Sequence, residues 1–199
     1  MGDAKPASSS RQGAAVWLAT RQRARIRRYR APVGRSNFLI EGVSCTGKTT
    51  VCRELQRRGY RAINGDTELA YQGDPETGAP IGGHAHEHHL WRVDLVKALV
   101  DDGDEPTTFF CGGSRNFSAF IHLFDAVFVL TVDEHTLLDR LAQRSPDEFG
   151  SRPAERELIL RLHRTREDTP DGIPVDATQP AARVVDEIVR QAEARSRRL

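Results

Sequence analysis

One octapeptide restricts this chain more than anything else in it. GVSCTGKT, Gly42 to Thr49, fits the pattern GxxxxGK[ST], with FLIE before it reading as a strand and TTVCRELQRR after it reading as a helix. Such a loop wraps successive backbone N–H groups around phosphate oxygens, which requires glycine dihedrals and close backbone approach, while the following helix aims its N-terminus at the same anion. The pattern assigns Gly42, Ser44, Cys45, Thr46, Gly47, Lys48, Thr49 and Thr50 to nucleotide binding. Within it Lys48 would bridge the terminal phosphates of ATP, and the Thr49 hydroxyl would ligate Mg²⁺.

A strand, loop and helix of this kind must sit in a sheet, and the rest of the sequence supplies one. From residue 37 short apolar runs alternate with helical patterns, the signature of βαβ units and a parallel sheet. Strands are expected at Asn37 to Glu41, Tyr60 to Asn64, Thr107 to Cys111, Ala126 to Val132 and Ile173 to Asp176. Most are apolar throughout, as strands covered on both faces are. Helices are expected from Gly47 to Arg58, Glu87 to Val100, Glu134 to Arg144, Ala154 to Arg166 and Pro180 to Arg197. No internal repeat is visible.

Charge divides the chain. Residues 1–36 carry nine basic side chains against one acid, Asp3, and the remainder carries 20 against 27. With the Ser8 to Ser10 run and the Pro32 and Gly34 punctuation, this marks a basic extension over 1–36 and a domain over 37–199. The extension reads as a solvated or docking arm, as an electrostatic contact to nucleic acid or a membrane surface, or as a targeting segment. No window approaches the ~20 consecutive apolar residues of a membrane span. Three cysteines are too few for a disulfide scaffold, so a reducing, cytoplasmic setting is expected.

Switch and motor ATPases usually end a second apolar strand in an acid. Here the third strand ends in Cys111, Gly112 and Gly113, and Asp133 reads as the cap of the helix at Glu134. The acid nearest the expected phosphates is Asp66, at the carboxyl end of the second strand and so facing the crevice where ligands of open α/β sheets bind. Three readings fit Asp66: a water-mediated Mg²⁺ ligand, the acceptor of a hydroxyl proton, or an ordinary turn aspartate.

These features resemble the small-molecule branch of the nucleoside monophosphate kinase superfamily, especially shikimate and gluconate kinases, over about residues 37–192. The resemblance implies a doubly wound five-stranded parallel sheet of order 2-3-1-4-5 with a small lid, and an ATP-dependent, Mg²⁺-requiring phosphotransferase. Asp66 falls where those kinases carry a substrate or magnesium aspartate. Trp91 and Arg92, in HHLWRVD, resemble the pair that grips an acidic substrate, and Gly112 and Gly113 resemble a glycine-rich substrate strand. LLDRLAQRSPDEFGSRPAE, from Leu137, looks like the lid, where Arg140, Arg144 and Arg152 supply cations; Arg144 is the nucleotide-side candidate and Arg152 the transfer-site candidate.

The sequence also departs from those families. Ser114 breaks the shikimate kinase glycine triplet, the gluconate kinase substrate motif survives only as Asp66 and GAPI, and Arg115 has no family counterpart. An Arg115 reaching a substrate phosphate would suit a nucleotide acceptor, since arginine grips phosphate with a bidentate fork. The leading expectation is therefore transfer of the γ-phosphate of Mg-ATP to a nucleoside or nucleotide. A shikimate-like or gluconate-like metabolite, or an antibiotic, is the alternative acceptor. An ATP-binding regulator whose basic arm contacts nucleic acid is the non-enzyme alternative. The HAHEHH cluster, with His84, His86, His88 and His89, is open to a metal site, a substrate-pocket role or a plain polar loop.

Overall fold

A computed structural model describes residues 35–197. The basic arm expected over 1–36 lies outside the described residues except for its last two. Among the described residues seven strands and six α-helices follow in chain order: β1 (Ser36–Glu41), α1 (Lys48–Arg57), β2 (Arg61–Asn64), α2 (Gly65–Glu68), β3 (Ala70–Gln72), β4 (His89–Trp91), α3 (Val93–Asp101), β5 (Thr107–Cys111), β6 (Ala126–Thr131), α4 (Glu134–Ala142), α5 (Pro153–Thr165), β7 (Ile173–Asp176) and α6 (Ala181–Ser196).

The large sheet runs β2-β5-β1-β6-β7, every neighbouring pair parallel. Counting only its own strands in chain order, this is the expected 2-3-1-4-5. β1 is buried along its whole length, and the period of two divides its side chains between two cores. Phe38 and Ile40 join Phe109, Phe128 and Leu130 under Val51 and Leu55 of α1 and Val185 and Ile188 of α6. Leu39 joins Phe110, Val127 and Val129 on the opposite face, under Val96 of α3 and the rings of Trp91 and Phe120. Burial on both faces explains why these strands read as continuous apolar runs.

Local chemistry fixes the helix starts. Asp133 caps α4 by accepting the Thr136 N–H at 2.8 Å, the role expected of it. α5 opens with Pro153, whose missing N–H costs nothing at a first helical turn, and the Glu155 carboxylate accepts the Gly150 N–H at 2.8 Å.

One helix differs from expectation. Instead of running from Glu87, the segment makes a single 3₁₀ turn over His86–His88, then the strand β4, and only then α3. β4 pairs antiparallel with β3 in a small second sheet, Tyr71 opposite Leu90. The Trp91 N–H is taken by the Asn116 side-chain oxygen at 3.0 Å, which a helix through this position would forbid. Tertiary hydrogen bonds thus override a helical pattern in HHLWRVD.

Candidate active site

The carboxyl ends of β1, β2 and β5 meet at one cavity of about 780 Å³. The phosphate loop forms one wall. Gly42 adopts φ 147°, and a Cβ there would lie 2.7 Å from the Leu130 carbonyl oxygen of β6, so only glycine lets the loop leave β1 this closely. The Thr46 hydroxyl donates to the Val43 carbonyl at 2.8 Å, and Gly47, also left-handed, precedes the first residue of α1. The Lys48 ammonium donates to the Gly42 carbonyl and to that of Val43 at 3.3 Å, curling back over its own loop. All of Gly42, Ser44, Cys45, Thr46, Gly47, Lys48, Thr49 and Thr50 line the cavity, as their sequence pattern requires.

Two lid-side arginines hold this loop. Arg140 donates to the carbonyls of Cys45 at 3.2 Å and Thr46 at 2.9 Å, and with its other nitrogen to Ala177 at 2.6 Å. It thereby ties the phosphate loop to the segment after β7. Arg144 lines the cavity and donates to the Cys45 sulfur at 3.2 Å and to Glu148 at 3.0 Å.

The opposite wall is carboxylate-rich. Asp66 sits in the first turn of α2, its oxygen accepting the Gly113 N–H at 3.2 Å and sharing a hydrogen bond with His89 at 3.3 Å. A Cβ at Gly112 would lie 2.7 Å from that oxygen, so the glycine pair is what admits the carboxylate. Burial pushes the Asp66 carboxyl up, but the His89 hydrogen bond, the Lys48 charge and the Gly113 N–H outweigh it and hold it below the usual carboxylate range.

Glu41 behaves in the opposite way. It ends β1 at 2% exposure, accepts the Gly42 N–H, and lies beside Gly113. Burial dominates here, lifting its carboxyl from 4.5 to about 7 against the pull of Lys48, the Gly42 N–H and Arg115. Sequence reasoning placed Glu41 in a strand and overlooked it as a site residue. A lone carboxylate closing an apolar run immediately before the phosphate loop was the available signal.

Arg115 also lines the cavity, where it is ion-paired with Asp168 and donates to the Asp168 carbonyl at 3.3 Å. His86 shares a hydrogen bond with the same carboxylate at 2.8 Å and stacks on Phe149, ring centres 5.6 Å apart. Asp168, after α5, carried no local signal in the sequence.

Other expected residues stand elsewhere. Trp91 is fully buried and stacks on Phe120 at 5.6 Å, so it belongs to the core. Arg92 follows the strand and caps α3; its side chain turns to the surface, 54% exposed and 3.2 Å from Asp94, and does not line the cavity. Arg152 occupies the N-cap of α5 with its side chain 80% exposed, 4.0 Å from Glu155, also outside the cavity lining. Among the described residues no group of three or more His, Cys, Asp or Glu is disposed to hold a metal ion, the histidine cluster included.

A family model described as "AAA domain" matches residues 39–161. No curated protein sequence matches the chain. Among solved structures, the shikimate kinase from Acinetobacter baumannii in complex with shikimate is similar with a TM-score of 0.54 at 17% identity, covering 80% of this chain and 94% of that one. The shikimate kinase from Aquifex aeolicus gives 0.50 at 19%, covering 79% and 96%. A gluconokinase from Sinorhizobium meliloti gives 0.48 at 23%, covering 83% and 97%. At these identities the two shikimate kinases establish the fold, that of the P-loop kinases.

Proposed function

Because the chain belongs to the AAA domain family, its matched segment spanning the phosphate loop, the carboxylate wall and the lid, we propose that it is an ATP-dependent kinase of a small hydroxylated metabolite. The observation that carries this reading is the single cavity in which a complete phosphate loop faces two carboxylates of opposite character, Asp66 and Glu41. A binding module needs the first wall only.

In the reaction the acceptor hydroxyl oxygen bonds to the γ-phosphorus of ATP, the bond to the β–γ bridging oxygen breaks, and ADP leaves. Lys48 and the N-terminus of α1 stabilise the charge on the transferring oxygens. The hydroxyl proton goes to Glu41, whose carboxyl titrates near neutral pH and so can take a proton in the transition state and lose it to water between turnovers. Asp66, ionised and fixed by His89 and Gly113, orients the hydroxyl. The hydroxyl of Thr49 and the Asp66 carboxylate are hard oxygen donors on this cavity and suit Mg²⁺. Bound there, the ion would neutralise phosphate charge.

A nucleotide acceptor rested on a free Arg115, and that guanidinium is engaged by Asp168; the metabolite alternative therefore becomes the main reading. The test is acceptor-dependent release of ADP. Lys48→Ala should abolish it while leaving thermal unfolding within a few degrees of wild type, because Lys48 contacts carbonyls of its own loop and no core residue. Near-normal turnover in that variant would remove the kinase assignment.

A further inference from the structure

We propose that Asp168 is a positioning residue for the transfer base: by holding the Arg115 guanidinium on its own carboxylate, it keeps that cation from pairing with Glu41. This rests on the kinase reading, which gives Glu41 the acceptor proton, and adds two residues that the reaction scheme does not use.

The guanidinium of Arg115 stands between two acids. One of its terminal nitrogens serves both the carboxylate and the carbonyl of Asp168, while the other lies 3.6 Å from the point that a Cβ on Gly113 would take. An oxygen of Glu41 lies 2.8 Å from that same point. The cation thus borders Glu41 across a glycine and is bonded away from it. Glu41 itself accepts from the Gly42 N–H and, among the described residues, from no arginine or lysine.

Asp168 is suited to keep its hold. It shares a second hydrogen bond with His86 at 2.8 Å. Burial pushes its carboxyl up, but the His86 hydrogen bond and the Arg115 charge outweigh this and hold it below the usual carboxylate range, so Asp168 stays charged wherever Glu41 titrates. The charged groups acting on Glu41 are Lys48 from α1, Arg115 from the turn after β5 and Asp168 from the segment after α5; the two cations favour its ionised form and Asp168 opposes it. Lys48 is bonded to carbonyls of its own loop. β6 sets the uncharged Val129 beside Glu41, and Asp66 with its His89 partner meets the glycine turn at the Gly113 N–H.

Without the Asp168 charge, the carboxylate left beside Arg115 is Glu41. An arginine at that range lowers a carboxyl by about 1–3 pH units. A base that titrates near neutral pH would become an anion too acidic to draw a proton from a hydroxyl well. The Asp168 tether is therefore what leaves Glu41 basic with a cation next to it.

The test follows the Glu41 carboxyl carbon by NMR titration of the full chain carrying labelled glutamate, its signal identified by its loss in Glu41→Gln. Wild type should titrate at about 7. Asp168→Asn should lower that value by at least about one pH unit. Arg115→Gln, which removes the cation and leaves Asp168 charged, should raise it. Loss of packing alone would not send the two halves of one ion pair in opposite directions. With Arg115→Gln already in place, Asp168→Asn should lose most of its downward effect. A Glu41 value that Asp168→Asn leaves in place or raises overturns the proposal, and so does an undiminished shift in the double variant. If Asp168→Asn does not fold, Arg115→Gln decides alone, and a value unmoved or lowered there overturns it. Turnover reads the consequence: kcat of Asp168→Asn should fall at least about tenfold at pH 8 with KM for ATP unchanged, since neither residue is bonded to the phosphate loop. An unchanged kcat would remove Asp168 from the transfer step. The titration needs neither nucleotide nor acceptor, so its failure is separate from that of the kinase reading, which would show as no acceptor-dependent ADP release by wild type.

Discussion

Replacing Glu41 by glutamine should make the protein more stable and less active at once. The amide keeps an oxygen for the Gly42 N–H and keeps the volume at a site 2% exposed, so what changes is the charge. A carboxyl held at about 7 rather than 4.5 has its ionised form disfavoured by about 3 kcal/mol, at ~1.4 kcal/mol per pH unit. The folded value lies above the unfolded one, so wild-type stability from this group is complete below about 4.5 and is lost as the pH rises through about 7. Glu41→Gln removes that loss. Urea unfolding without nucleotide should show the variant ahead by under about 1 kcal/mol at pH 5 and by about 3 kcal/mol at pH 8. Over the same range kcat should fall about a hundredfold, and the acid limb of the wild-type rate profile, centred near the Glu41 value, should disappear. A variant no more stable than wild type at pH 8, or a difference independent of pH, would refute the claim that burial governs this carboxyl.

The remaining expectations concern neighbouring residues. Asp66→Asn keeps shape but removes the charge that His89 and Gly113 stabilise, so turnover should drop about a hundredfold with ATP affinity changed far less, as separate kcat and nucleotide-binding measurements would show. Arg140→Ala cuts three bonds to the carbonyls of Cys45, Thr46 and Ala177; KM for ATP should rise about tenfold and unfolding free energy should fall by about 2 kcal/mol, read by a nucleotide titration and by denaturant melts. Gly65→Ala would bring a Cβ within 1.9 Å of the Trp91 ring, costing roughly 1–3 kcal/mol and moving the emission of that buried indole, both visible in one fluorescence-monitored melt.

What could be read from sequence was what local chemistry decides. The phosphate loop needs its residues in one contiguous order, and the five parallel strands need apolar runs, so both stood in plain view with the strand order implied by resemblance. The Asp133 cap was equally local. The carboxylate wall was legible only in part: Asp66 and Arg115 could be named and His86 stood among the candidate histidines, but the pairing of His86 and Arg115 with Asp168, 82 and 53 residues away, is made only by folding. The β3–β4 pair escaped for a related reason: each strand is three residues long, and β4 was hidden in a stretch with helical spacing. Arg92 and Arg152 show the converse failure, since a residue type in the right order says nothing about which way its side chain leaves the backbone.

The central position of β1 also sets a clock. This strand emerges first from the ribosome, yet the partners on its two sides, β5 and β6, begin at Thr107 and Ala126. Gly42 takes its conformation against the Leu130 carbonyl, so the phosphate cradle has no wall to form on until residue 130 has left the exit tunnel. At ~5–20 residues per second that is a wait of roughly 5–20 seconds after Gly42 itself has left the tunnel. Until β5 emerges an apolar strand ending in Glu41 stands without neighbours, and nascent chains halted before β6 should fail to retain ATP.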